Sequence, residues 1–148
     1  MKVKECMCDE VCCVKPDCKV EEVAKLMCQN HIGCIPVCND KNSVVGVVTD
    51  RDIILRSIAC NKDVKQTPVS EIMTCDVCTC NSNDEMTTAE NKMGQYQIRR
   101  IPVVENDKIV GILTIGDLAH FNSELGKENV CTTIENICDC KGETKNCQ

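Results

Sequence analysis

The feature that most constrains this chain of 148 residues is an internal repeat. Shifting the sequence by 66 residues, and by 65 after one residue is lost in a turn, superposes its first half on its second. Self-similarity at a fixed spacing indicates that one supersecondary unit is built twice. The superposed positions are Met7 on Met73, Val11 on Val77, Cys12 on Cys78, Met27 on Met93, residues 35–37 on 101–103, residues 45–49 on 110–114, and Asp52 on Asp117.

Each copy predicts the element order β-α-β-β-α. Short apolar runs indicate strands, and apolar residues three and four positions apart, as at Val20, Val23 and Met27, indicate a helix. Two apolar runs separated by a polar turn predict a hairpin. The predicted strands are residues 11–14, 34–38, 44–48, 77–80, 100–104 and 109–113, and the predicted helices are about 11 residues from Val20, residues 50–59 after a Thr49 cap, residues 86–95, and a helix from Ile115.

One copy alone has three short strands and two helices whose apolar faces cannot all be covered within it. We therefore expect an α/β (α+β) protein in which two β-α-β-β-α repeats pack in pseudo-twofold symmetry. The expected divisions are residues 1–60 for the first repeat, 61–70 for a polar linker, 71–123 for the second repeat, and 124–148 for a polar tail that contains cysteines.

Composition argues against several partners. One Tyr, one Phe and no Trp leave no aromatic platform for single-stranded nucleic acid, and a net charge of −6 disfavours a phosphate backbone. No stretch approaches 18 apolar residues, and the N-terminus lacks the apolar core of a signal peptide. We expect a cytoplasmic protein that binds neither nucleic acid nor a membrane.

Sixteen cysteines are unusual for such a chain. Most of them stand where a small apolar residue suits the pattern, and a free cysteine packs as a small hydrophobe. The short spacings Cys75-x-x-Cys78-x-Cys80, Cys6-x-Cys8 and Cys138-x-Cys140 leave open a redox-sensing or metal-binding alternative, although none has the complete spacing of a zinc ribbon. The topology also brings Cys13 and Cys38 to neighbouring strands.

The repeated strings carry a family resemblance. IGCIPV (residues 32–37) and VGVVTDRDI (45–53), repeated as RRIPVV (99–104) and GILTIGDL (111–118), resemble the CBS domain, a repeat named after cystathionine β-synthase. The resemblance covers about residues 1–122. It implies a tandem pair, called a Bateman module, that binds AMP, ADP, ATP, S-adenosylmethionine or a related ligand in clefts between the two copies. It also implies a homodimer, and a regulatory role in trans on an unknown partner rather than catalysis.

The resemblance also assigns the site. Thr49-x-x-Asp52 and Thr114-x-x-Asp117 have the spacing of a helix capping box, but a carboxylate there also suits the two hydroxyls of a ribose, which is its role in the family. Arg99 and Arg100 are expected to reach ligand phosphates, whereas Gly33 and Cys34 at the equivalent places supply no charge, so the two clefts differ. An apolar adenine slot is expected from Val11, Cys12, Val77, Cys78, Ile35, Pro36, Ile101 and Pro102.

The remaining polar residues suggest no chemistry. His31 and His120 have no evident partner in the sequence and are interpreted as structural or solvated. We therefore expect no catalytic residue, no metal ligand, and no cofactor other than the adenine nucleotide or S-adenosylmethionine acting as a regulatory ligand.

Overall fold

The computed structural model describes residues 1–121 and 127–138, which form a mixed α/β protein. The chain divides into two compact units, each built mainly from one repeat. The first unit comprises Glu10–Val77 and Glu105–Ile109, and the second unit comprises Met1–Asp9, Cys78–Val104 and the chain from Val110 onward.

The first unit follows the predicted order after its first segment. Helix α1 has the expected 11 residues because Val20, Val23 and Met27 give it one buried face, and it ends where His31 adopts a left-handed φ of 54°. Strands β1 and β2 pair antiparallel, with Cys34 opposite Thr49. The elements are α1 (Val20–Asn30), β1 (Cys34–Cys38), β2 (Val44–Thr49), α2 (Asp50–Ile53), a π-helical turn (Ile54–Ile58) and a 3-10 turn (Val69–Glu71).

The second unit repeats this order and extends it. Its sheet has the strand order β3-β4-β5, with β3 parallel to β4. The elements are a 3-10 turn (Val3–Glu5), β3 (Cys80–Asn81), α3 (Met86–Tyr96), β4 (Arg100–Glu105), β5 (Lys108–Thr114), α4 (Ile115–His120) and α5 (Lys127–Cys138).

The strand predicted at residues 11–14 is reduced to one bridge, between Val14 and Val37. The Val14 N–H donates to the Pro36 carbonyl at 3.2 Å, and the Val14 carbonyl accepts from the Cys38 N–H at 2.9 Å. The next pairing toward the N-terminus would need an N–H from Pro36, and proline has none. The proline therefore stops the parallel ladder.

Pro102 has the same effect in the second unit. Pairing there begins with Cys80 opposite Val103 and continues to Asn81, so the strand predicted at residues 77–80 starts three residues late. Extension back from Cys80 would again require a donor at the proline nitrogen.

Each unit has its own apolar core, made of aliphatic and sulfur-containing side chains because aromatic residues are so scarce. The first core contains Val14, Val20, Val23, Met27, Ile35, Val37, Val48, Ile53, Val69 and Ile72. The second contains Val3, Cys6, Cys80, Met86, Ala89, Met93, Ile101, Val103, Leu113, Leu118, Val130 and Ile137.

A helix lies within the segment that the sequence indicated as a polar tail. Helix α5 packs against α3, and Val130, Thr133 and Ile137 are buried at intervals of three and four residues, which is one helical face. Cys140 and Cys147, also assigned to that tail, lie outside the described residues.

Candidate functional site

The Thr49-x-x-Asp52 motif lies at the junction of β2 and α2. Thr49 donates to Asp52 Oδ2 from both its backbone N–H and its hydroxyl, at 2.9 Å each, and the Asp52 N–H donates to Thr49 Oγ1 at 3.2 Å. These contacts form a complete capping box, which fixes the carboxylate at the start of the helix.

Arg56 occupies the other oxygen of this carboxylate. Its Nε lies 3.5 Å from Asp52 Oδ1, and its Nη1 donates to the Ile72 carbonyl and to Thr74 Oγ1, each at 3.1 Å. Both oxygens of Asp52 thus have partners within the first unit. The sequence analysis missed Arg56, although it stands four residues after Asp52, a spacing that brings side chains together on a helix.

The second copy of the motif forms the same capping box, but the other oxygen of its carboxylate has a different environment. Thr114 donates to Asp117 Oδ2 from its N–H at 2.7 Å and from its hydroxyl at 2.8 Å. Phe121 stands where the first repeat has Arg56, so it supplies no charge. Within residues 1–121 and 127–138, Oδ1 of Asp117 has no hydrogen bond or ion pair, so it can accept from a ligand hydroxyl.

The two arginines lie beside the second motif. Arg99 and Arg100 are exposed, and the Arg99 carbonyl accepts a hydrogen bond from the Ile115 N–H at 3.0 Å, in the first turn of α4. This bond joins the backbone of Arg99 to the helix start where Asp117 is fixed. The second unit therefore has the Asp117 carboxylate and the two exposed arginines on adjoining backbone.

The equivalent place in the first unit has a carboxylate, Asp50, next to the exposed Arg51. The Asp50 N–H donates to the Gly33 carbonyl at 3.1 Å, as Ile115 does to Arg99. A Cβ on Gly33 would lie 2.8 Å from Asp50 Oδ2, so this glycine gives the carboxylate its space. Asp50 was another residue missed in the sequence analysis, and its charge opposes a phosphate there.

The residues expected to form an adenine slot have different environments. Ile35 and Ile101 are fully buried within the two cores, and Pro36 and Pro102 are buried beside them. Their side chains pack the protein interior. The other four, which are Val11, Cys12, Val77 and Cys78, are half-buried.

Cys13 and Cys38 are neighbours, as the sequence indicated. The Cys13 thiol donates to the Val11 carbonyl at 4.0 Å. Burial and, after it, the nearby Cys38 sulfur raise the pKa of Cys13 to about 12. Burial also raises the pKa of Cys38.

The structure gives no support to the proposed metal spacings. In the described part of the chain, no three His, Cys, Asp or Glu side chains are grouped so that they could hold a metal ion. Cys140, the second residue of the Cys138-x-Cys140 spacing, lies outside the described residues. None of the described helices has the length and apolar character needed to span a membrane.

Comparison with known proteins decides the family. The family model of the CBS domain matches residues 3–58 and again residues 69–124. The chain belongs to the CBS-domain family. CBS domains are generally regulatory rather than catalytic. Both the doubled CBS resemblance and the mixed α/β fold predicted from the sequence are thereby confirmed.

Several relatives have a CBS pair of the same size. The CBS domain-containing protein YhcV of Bacillus subtilis is 39% identical over 135 residues, which are 91% of this chain and 94% of YhcV. A crystal structure of Hypoxic Response Protein I with two coordinated zinc ions is 28% identical with a TM-score of 0.76, covering 81% of this chain and 98% of that one. The CBS domain pair of protein MJ0100, in complex with 5′-methylthioadenosine and S-adenosyl-L-methionine, is 25% identical with a TM-score of 0.75, covering 84% and 98%.

Proposed function

We propose that this chain is a regulatory CBS module that binds an adenosine-type ligand (AMP, ADP, ATP or S-adenosylmethionine) and acts in trans on a partner protein. The observation that carries the proposal is Oδ1 of Asp117, which has no partner among the described residues and belongs to a carboxylate that its capping box holds in place. A fixed carboxylate with an unused acceptor is suited to a ribose hydroxyl.

Charge favours the second repeat as the place where phosphates bind. Arg99 and Arg100 are exposed and make no ion pair with the described residues, so their guanidinium groups are available to a ligand. Arginine binds phosphate oxygens through two parallel hydrogen bonds. We therefore assign AMP, ADP or ATP to the second repeat.

The first repeat suits a different ligand. Asp50 and Asp52 both place carboxylates at the start of α2, and Arg56 already pairs with Asp52. Gly33 and Cys34 supply none of the positive charge that Arg99 and Arg100 supply in the second repeat, so an adenosine derivative with a neutral or cationic 5′ substituent fits best. The MJ0100 pair, which holds 5′-methylthioadenosine and S-adenosyl-L-methionine, supports this chemistry for a related fold.

A thermal-shift screen tests the function. The full chain is heated with AMP, ADP, ATP, adenosine, 5′-methylthioadenosine or S-adenosylmethionine, with guanosine monophosphate as the control. A ligand at 100 times its dissociation constant adds about 2.7 kcal/mol of stability, which raises the Tm by about 5–10 °C. No shift with any adenosine compound, or an equal shift with guanosine monophosphate, would refute the proposal.

The alternative of a redox-sensing or metal-binding protein on a CBS scaffold has one supporting observation. Hypoxic Response Protein I, a relative of 28% identity, holds two zinc ions in its crystal structure. Elemental analysis of the full chain purified without oxygen separates the two functions. Stoichiometric zinc that survives dialysis would favour the alternative, and its absence would favour the adenosine ligand.

We further propose that the module forms a homodimer. Three apolar side chains of the π-helical turn face solvent, namely Ile54, Leu55 and Ile58, with 56%, 42% and 59% of their surfaces exposed. Adjacent exposed aliphatic residues are typical of a protein contact. Light scattering should give twice the monomer mass, and Ile54→Lys with Ile58→Lys should return the monomer.

A further inference from the structure

A cavity of about 260 Å³ lies between α3 and α5 in the second unit, apart from the Thr-x-x-Asp motif. Its lining is almost entirely polar, and Glu90 is the one ionisable side chain among the described residues that line it. The polar lining residues are Thr87, Glu90 and Asn91 of α3 and Thr132, Thr133 and Asn136 of α5.

Glu90 is the unexplained group in this cavity. The residue is only 4% exposed, and its Oε1 is buried with no hydrogen-bond partner among the described residues. Burial raises the pKa of this carboxyl. An unpartnered buried carboxylate is costly, so its presence points to a partner that binds from solution.

The cavity belongs to the second repeat alone. At the positions of Glu90 and Gly94, which are one helical turn apart, the first repeat has Ala24 and Cys28. A Cβ on Gly94 would lie 3.2 Å from the Cβ of Asn136, so the glycine lets α5 approach α3 closely. Glu90 thus supplies a charge that Ala24 does not. Gly94 makes room for helix α5, which covers Glu90.

We propose that this cavity binds a small polar molecule with a protonated amino group, which forms an ion pair with Glu90. Among the described lining residues the only charge is the negative one of Glu90, which attracts a cation rather than a phosphate or carboxylate. Calcium takes six to eight oxygen ligands and usually several carboxylates, whereas this cavity offers one. Thr87, Asn91 and Asn136 provide hydrogen-bond partners for ligand hydroxyls.

Calorimetric titration of the full chain in amine-free buffer tests this assignment. The probes are 4-aminobutan-1-ol, its neutral counterpart 1,4-butanediol, and magnesium chloride. We expect saturable binding of the amino alcohol and none of the diol. Glu90→Gln keeps the shape of the side chain, and Glu90→Ala copies Ala24 of the first repeat. Each should weaken binding at least tenfold, because a charge-assisted hydrogen bond is lost.

The control is Glu135→Gln, which removes an exposed carboxylate from α5 and should leave the affinity unchanged. The assignment is overturned if the amino alcohol does not bind, if Glu90→Gln binds it as well as the unmodified chain does, or if magnesium binds in its place. Because none of the three probes contains adenosine, these outcomes are independent of the ligand screen described above.

Discussion

The guanidinium Nε of Arg56 lies 3.5 Å from Asp52 Oδ1, and Phe121 stands at the equivalent position beside Asp117. The same capping box therefore has a neutralised carboxylate in one repeat and an available one in the other. This substitution gives the two equivalent carboxylates different partners.

Arg56 should also contribute to the stability of the first unit. Replacing it with Gln removes the ion pair to Asp52 and the hydrogen bonds to the Ile72 carbonyl and Thr74 Oγ1. Because its side chain is 49% exposed, we expect a loss of only about 0.5–1.5 kcal/mol in the free energy of unfolding. Urea denaturation measures this loss, with Lys41→Gln, an exposed residue of the turn between β1 and β2, as the control. A loss no larger than that of the control would mean that the contacts are not stabilising.

Replacing Arg99 and Arg100 with Gln should selectively weaken the binding of ligands that carry phosphates. Each lost charge-assisted contact is worth about 1.5–3 kcal/mol, so ATP and ADP should bind at least tenfold more weakly. Adenosine, which has no phosphate, should bind nearly as before. Calorimetric titration of the double variant measures both affinities. Equal losses for ATP and adenosine would show that the arginines act through the fold.

Two equivalent glycines should differ in their tolerance of a methyl group. A Cβ on Gly46 would meet only the flexible side chain of Met73, with Cγ at 2.9 Å. A Cβ on Gly111 would meet Met7 Cγ and also the backbone carbonyl of Cys8, each at 3.0 Å. A backbone carbonyl moves less readily than a methionine side chain. Gly111→Ala should therefore lower the free energy of unfolding by about 1–3 kcal/mol, and Gly46→Ala should lower it by less. Chemical denaturation of both variants gives the order, and the reverse order would contradict the packing.

The Cys13 thiol should resist alkylation. With a pKa of about 12 it is protonated near neutral pH, and the thiolate is the reactive form. We expect iodoacetamide at pH 8 to modify exposed Cys28 at least tenfold faster than Cys13, which peptide mass spectrometry can follow. Equal rates, or closure of a Cys13–Cys38 disulfide under mild oxidation, would show that the pair is a reactive redox site.

The same raised pKa makes stability depend on pH. Above about pH 9 the unfolded chain releases the Cys13 proton, whereas the folded chain keeps it until about pH 12. The free energy of unfolding should therefore fall as the pH rises between these values. Cys13→Thr, which copies Thr79 of the second repeat, should reduce this slope.

Much of the fold was predictable because it depends on local patterns. The periodicity of Val20, Val23 and Met27 indicated α1, and the doubled strings indicated the repeat. The truncated first strands were also foreseeable in principle, since Pro36 and Pro102 remove a donor that a parallel ladder requires. The sequence analysis assigned the strand positions without accounting for the hydrogen bonds.

The charges around the site were harder to predict. The pairing of Arg56 with Asp52 looks like an ordinary i,i+4 contact, and its consequence appears only when the second repeat shows Phe121 instead. Burial of Glu90 depends on α5, where Val130, Ile134 and Ile137 recur at intervals of four and three residues, which is the spacing of a helix. The sequence analysis assigned this segment to a polar tail and did not use that spacing.

Calorimetric titration of the best adenine nucleotide into the unmodified chain, Asp52→Ala, Asp117→Ala and the double variant tests the central claim most directly. We predict that Asp117→Ala weakens binding at least tenfold, because the hydrogen bond from a ribose hydroxyl to a charged acceptor is lost, and that Asp52→Ala changes it less, because Arg56 already holds that carboxylate. Circular dichroism should show that all four proteins are folded. Unchanged affinity in the double variant would contradict the account.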